Sequence, residues 1–180
     1  MQAGRPPTVR PGALHVIGVV RTGYRELADT PIQSSLNRAA TGTIELAAPY
    51  PDGLDGLDGF DYAWLVSWMH RAERPAGQPE LRQVPFLLRR QGRRMGIFAT
   101  RGPRRVNPIG LSLIRLLGVT GGTVTFSGTD LLDGTPVLDI KPYVPAFDAV
   151  EAERTGWLEQ GARRVFEIRA DARFDEESAS

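Results

Sequence analysis

Phe60 to His70 reads FDYAWLVSWMH, a run dense in aromatic and β-branched residues with apolar groups on both faces. That pattern fits a strand covered on two sides better than a half-exposed helix. Just before it, PDGLDGLDGFD from Pro51 to Asp61 repeats Asp-Gly, which is turn chemistry. Its aspartates lack the spacing and the closing glutamate of a calcium loop, so no metal is expected there. Working outward, HVIGVVR from His15 to Arg21 and Thr43 to Ala47 read as further strands. Downstream, Arg71 to Arg94 reads as a long loop with a short helix at most, and MGIFAT from Met95 to Thr100 as a short strand. Ile109 to Val119 is long enough for a helix, yet it starts after Asn-Pro and ends in glycines. Gly118 to Gly122 lacks the full glycine fingerprint of a nucleotide loop and reads as a hairpin turn. Thr123–Phe126 and Val137–Ile140 are expected as strands, with Asp133-Gly134 as the hairpin turn between them.

Many short strands and frequent turns point to an all-β barrel or a β-rich domain. The amphipathic helices that a doubly wound sheet needs are missing. The proline- and arginine-rich residues 1–13 are expected to form a loose arm, 14–148 the barrel domain, and 149–180 a tail that is helical in part. Within the tail, Ala149 to Phe166 is the best helical candidate, with Val150, Trp157 and Leu158 as its inward residues.

A chain of 180 residues fits one domain with a real core. The absence of cysteine excludes disulfides, thiol catalysis and cysteine-ligated metals. His15 and His70 are the only histidines, too few for a histidine cage. No span is long and apolar enough to cross a bilayer, and the start lacks a secretory signal, so a cytoplasmic protein without membrane contact is expected. The net charge of +1 hides a local excess: Arg89, Arg90, Arg93, Arg94, Arg101, Arg104 and Arg105 fall close together. Such a run can meet phosphates, or it can be a solvated loop. Ser112 has no G-x-S-x-G context, so a hydrolase elbow is not supported.

Two long motifs carry the reading further: TRGPRRVNPIGLS from Thr100 to Ser112 and DLLDGTPVLDIKPYVP from Asp130 to Pro145. Together with IGVVRTGY from Ile17, TPIQSSL from Thr30 and GLDGFDYAWLVSWMHR from Gly56, in that order, the chain resembles the TsaA-like (TrmO-type) family. The resemblance covers most of residues 16–148. It implies a compact single-domain β-barrel with short peripheral helices that binds S-adenosylmethionine, commonly as a homodimer. It implies methyl transfer to N6 of N6-threonylcarbamoyladenosine beside a tRNA anticodon, so tRNA is the expected partner. By the same resemblance the cofactor is contacted at Pro31, Ile32, Gln33, His70, Arg71, Arg101, Leu111, Asp130, Leu131, Leu132 and Asp133.

Each residue also has a plainer reading. His70 can be a satisfied rim histidine, Asp130 and Asp133 turn caps, and Arg101 a surface ion-pair partner. For the chemistry, methyl transfer asks the protein to align the nucleophile, exclude water and receive a proton. Asp139, Lys141 and Tyr143 of DIKPY are the candidates, and strand alternation sets them on one face. The alternative for them is a buried Asp139–Lys141 pair flanked by a packed tyrosine. The chain departs from the longer bacterial members at Ile32, where they carry arginine, at Val106, where they carry proline, and in stopping soon after the barrel motifs. A small-molecule acceptor, or a non-catalytic S-adenosylmethionine-binding module, therefore stays open as an alternative.

Overall fold

The computed structural model of the chain describes residues 14–31, 33–34, 37–72 and 80–159. The expected arm at 1–13, Ile32, and the tail from 160 onward lie outside the described residues.

Six strands close into a barrel, in the order β1 (Gly18–Arg21), β2 (Thr41–Leu46), β7 (Thr123–Ser127), β6 (Ile109–Thr120), β3 (Tyr62–Trp68) and β8 (Pro136–Pro142). Every pair is antiparallel, and closure leaves no sheet edge. A separate two-stranded ribbon of β4 (Arg82–Gln83) and β5 (Met95–Gly96) lies on the long excursion between β3 and β6. The fold is thus all-β with short 3-10 turns, as expected.

Alternation builds the core. Along β3, Ala63, Leu65 and Ser67 are fully buried, while Trp64, Val66 and Trp68 point outward and are half-covered. Val20 of β1, Ile44 of β2, Ile114 of β6, Val124 and Phe126 of β7 and Val137 of β8 have no exposed surface and fill the interior with them. Leu54 and Leu57, on the 3-10 turns of the Asp-Gly repeat, pack into the same cluster.

Four expectations need correction. Ile109–Thr120 is a strand and not a helix, because its buried residues, Ser112 and Ile114, recur with period two. At Gly110 a Cβ would meet the Ser67 hydroxyl at 2.6 Å, so only glycine lets β6 lie this close to β3. Asp133-Gly134 does form a turn, with Gly134 at φ 76°, but β7 and β8 do not pair across it. β7 instead forms the hairpin with β6 through Gly121 and Gly122, both at positive φ, which is the turn expected there. Met95–Thr100 is strand only at Met95–Gly96 and continues as a 3-10 turn over Ile97–Ala99. Within the described part of the tail, 149–159, a 3-10 turn at Gly156–Leu158 stands where the helix was expected, and the one α-helical turn, Pro145–Asp148, precedes it. Val150 is 85% exposed and not inward, while Trp157 and Leu158 are half-buried.

Candidate functional site

The link from β7 to β8 must cross the barrel, because those strands sit three places apart in its order. It is pinned along its length. The Thr22 hydroxyl donates to the Leu131 carbonyl, the Asp133 amide donates to the Tyr24 carbonyl, and the Gly134 amide donates to Val20. The Asn37 side-chain amide bridges the Thr129 carbonyl and the Tyr24 hydroxyl. Leu131 is 2% exposed and belongs to the core cluster, so its side chain fixes the link to the barrel and faces no solvent.

Asp130 is the electrostatic centre of this link. One carboxyl oxygen accepts from the Ser112 hydroxyl at 2.6 Å and the other from the Ser34 amide at 2.9 Å. It therefore ties β6 to the segment carrying Pro31 and Gln33, both half-buried. Burial pushes its carboxyl above the usual carboxylate range, against the pull of the two hydrogen bonds and of the Arg101 charge. Asp133 is bound differently: it accepts from the Thr22 amide at 3.1 Å and pairs with the exposed Arg25.

His70, Arg71, Asp130 and Leu132 line one small cleft with Leu27, Thr30, Met69, Ala72, Pro103 and Thr135. His70 and Arg71 stand on the 3-10 turn His70–Ala72 that ends β3, which is why an apolar strand delivers them to the rim. Arg71 donates to the Arg25 carbonyl and lies 3.7 Å from the Glu26 carboxylate, so it holds the 25–26 segment beside the cleft. Asp133 lines the adjoining open, polar depression with Arg21, Thr22, Arg25 and threonines of β2 and β7.

The other expected residues lie elsewhere. Leu111 is half-exposed on the outer face of β6, opposite Val66, and Arg101 is exposed on the loop before it, outside the cleft lining but near enough for its charge to act on Asp130. Asp139 lies opposite Val66 and Lys141 opposite Trp64, so both share that outer face with Leu111. They form an ion pair at 2.8 Å that is half-exposed, not the buried pair of the alternative reading. The hydrogen bond to Asp139, with its charge, holds the Lys141 ammonium above its ordinary value. Tyr143 packs edge-on against Trp64 and Tyr62. Neither Asp139 nor Lys141 nor Tyr143 lines the Asp130 cleft.

Sequence reasoning missed Ser34 and Ser112 as the groups that seat Asp130. Ser112 was visible only as a serine without a hydrolase motif. Its burial inside a strand, at 3% exposure, is the signal that a hydroxyl there needs a partner.

Residues 19–149 match the tRNA-methyltransferase O N-terminal domain family. A probable S-adenosyl-L-methionine-binding protein of Pyrococcus abyssi is 39% identical over 158 residues, covering 88% of this chain and 82% of that protein. The tRNA (adenine(37)-N6)-methyltransferase of Escherichia coli is 40% identical over 135 residues, 72% of this chain and 56% of the relative. The crystal structure of TrmO from Pseudomonas aeruginosa superposes with a TM-score of 0.67 at 40% identity, over 81% of this chain. The chain spans 62% of that solved chain, a little under two thirds of its length.

Proposed function

The chain belongs to the family of S-adenosylmethionine-dependent tRNA adenine-N6 methyltransferases that share the tRNA-methyltransferase O N-terminal domain, and from that premise we propose its own reaction. It methylates N6 of N6-threonylcarbamoyladenosine beside the anticodon of tRNA, in the cytoplasm. The observation that carries this reading is the cleft at the Asp130 link, where His70, Arg71, Asp130 and Leu132 converge from segments far apart in the chain.

The residue types at the cleft suit one end of S-adenosylmethionine, while the cleft's free volume of about 50 Å³ leaves the rest of the molecule to lie outside it. Met69, Ala72, Leu27, Leu132 and Pro103 give apolar walls, and His70, Arg71 and Asp130 give the few polar groups that fix orientation. Pro31, Gln33 and Leu131, which flank the cleft without lining it, are proposed as further contacts, as is Asp133 from the separate polar depression. Ile32, Arg101 and Leu111 complete the proposed contact set. When bound, S-adenosylmethionine supplies a methyl group already activated on a sulfonium.

The chain's own residues then do the rest. They hold the acceptor nitrogen in line with the methyl carbon and keep water out. N6 sheds a proton as its bond to carbon forms, and the Asp139 carboxylate, which stands on the outer face and outside the cleft lining, is the acceptor proposed for it, reached by a base that spans from the cleft to that face. Lys141, paired to Asp139, fixes the carboxylate's direction, and the Tyr143 ring orients the substrate. A homodimer is part of the proposal. The outer face of β3 and β6 leaves Tyr62, Ile109 and Leu111 39%, 42% and 50% exposed, and this apolar patch favours a second copy, which would then approach the Asp139–Lys141 pair on the neighbouring β8. Sedimentation at working concentrations measures that stoichiometry.

The deciding test mixes the chain with S-adenosylmethionine and tRNA bearing N6-threonylcarbamoyladenosine, with unmodified tRNA as control. Release of S-adenosylhomocysteine only with the modified tRNA is expected. Cofactor binding without release would reject this acceptor and leave a small molecule or a binding role.

A further inference from the structure

Residues 80–105 carry eight arginines (82, 89, 90, 93, 94, 101, 104 and 105) against a single carboxylate, Glu80. Because the whole chain is only +1, everything outside this excursion is net acidic. The positive charge of the molecule is thus concentrated on one appendage that leaves the barrel between β3 and β6.

The excursion exposes two large apolar side chains, Leu81 at 56% and, most fully, Phe98. Phe98 is 82% exposed, although its neighbour Ile97 is buried at 1%. Its 3-10 turn is nonetheless held from several directions. The Thr100 hydroxyl and the Arg105 guanidinium both donate to the Ile97 carbonyl, and Arg105 also donates to the Thr100 carbonyl. Trp157, stacked edge-on against Phe86, donates its indole N–H to Ala99 at 2.6 Å. The Gln83 side chain bonds Thr100 from the ribbon. A loop this firmly held does not expose a phenyl ring through slackness.

The arginines divide in the same way. Arg105 is consumed by carbonyls and sits 6.0 Å from the Phe98 ring centre, while Arg94 pairs with Glu80 and bonds the Arg82 carbonyl. Arg82 and Arg93 stand exposed.

We propose that this excursion is the RNA-contacting surface of the protein, with Phe98 as a stacking platform for one unpaired base and the exposed arginines on the flanking phosphates. The inference rests on the tRNA reading above and adds to it which surface meets the RNA. Single-stranded loops are recognised by stacking splayed bases on aromatic rings, with cationic groups tracking the backbone. A guanidinium close to the ring adds positive charge beside a base already stacked there. An apolar protein partner would want an uncharged rim around the phenyl, which this excursion does not offer.

The test uses the full chain and a short unmodified RNA hairpin with a single-stranded loop, against a blunt duplex of equal charge, by fluorescence anisotropy across a salt series. The wild type should prefer the hairpin. Phe98→Ala should weaken hairpin binding by about tenfold and erase the preference, since one stacked base is worth roughly that much. Phe98→Tyr should retain both. Arg93→Ala should lower the salt slope by about 0.7–0.9, the share of one phosphate contact. Thermal unfolding and calorimetric S-adenosylmethionine binding should be unchanged in Phe98→Ala, because the ring is outside the core and the cleft. Equal hairpin binding by wild type and Phe98→Ala, or no hairpin binding by wild type, overturns the proposal. So does a Phe98→Ala variant that sediments as a smaller species, which would make the ring a contact between copies. Hairpin binding needs no methyl transfer, so loss of turnover on modified tRNA and loss of RNA contact at Phe98 are separate results.

Discussion

Two aspartates nine residues apart, Asp130 and Asp139, do opposite physical work. Asp130 has both carboxyl oxygens engaged by neutral donors, Ser112 and Ser34, and burial alone makes its ionised form costly. Asp139 is 45% exposed and meets a full positive charge, Lys141, in water. The first is committed to architecture: it joins β6 to the segment at Ser34 and so positions the cleft. The second accepts from the neighbouring Ile140 amide with Oδ1, leaves its other oxygen to Lys141, and within one chain keeps the solvent access that a proton acceptor needs. A buried carboxylate at the centre of a site is not thereby its reacting group, and a surface ion pair is not thereby decoration.

Substitution separates the two roles cleanly. The largest effect is expected at the exposed aspartate and only on rate. Asp139→Asn should lower turnover on modified tRNA about 100-fold or more, the usual share of a positioned base, with an unchanged urea midpoint. If turnover holds within twofold, proton acceptance must be placed elsewhere. Next in size is Asp130→Ala, whose effect falls on stability. It leaves the Ser112 hydroxyl and the Ser34 amide without their acceptor, at about 1–3 kcal/mol for each buried donor stranded. A urea midpoint well below wild type, with cofactor binding lost in calorimetry, is the expected outcome. A variant that unfolds with the wild type would mean that water satisfies both donors and that the link has another anchor.

Most of the barrel was legible before any coordinates because strand alternation is a local signal. Ala63, Leu65 and Ser67 alternate with Trp64, Val66 and Trp68, and that pattern needs no knowledge of the partner strand. What failed was information about partners. Turn chemistry at Asp133-Gly134 predicts a change of direction, which is there, but cannot say that the chain crosses the barrel to meet β1 and β3. The leucine-rich run of β6 has a length that suits either regular structure, and only the burial of Ser112 and Ile114 decides it. At the site, family motifs located His70, Arg71, Asp130 and Leu132, which do converge. The same motifs could not separate Leu131, a core residue, from its neighbour at the cleft, nor show that Ser34 lies 2.9 Å from a carboxylate 96 positions on.

The smallest expected effect is also the most specific to the comparison, because it reads the charge on Asp130 directly. Its folded pKa is raised above the unfolded value of 3.8, so the folded state holds the proton more tightly than the unfolded one does. The contribution to stability is then fully present below about pH 3.8 and is lost as pH rises through the folded pKa. Asp130→Asn is neutral throughout and keeps one carbonyl acceptor, so it lacks this dependence. Unfolding both proteins in urea from acid to neutral pH should therefore find the wild type losing ground to Asp130→Asn as pH rises above 3.8. Asp139→Asn, run alongside, leaves Asp130 and its partners in place and should keep the loss that Asp130 causes. A gap between wild type and Asp130→Asn that stays constant with pH would mean the two serine hydrogen bonds offset desolvation completely, and the contrast between the two aspartates would reduce to one of geometry.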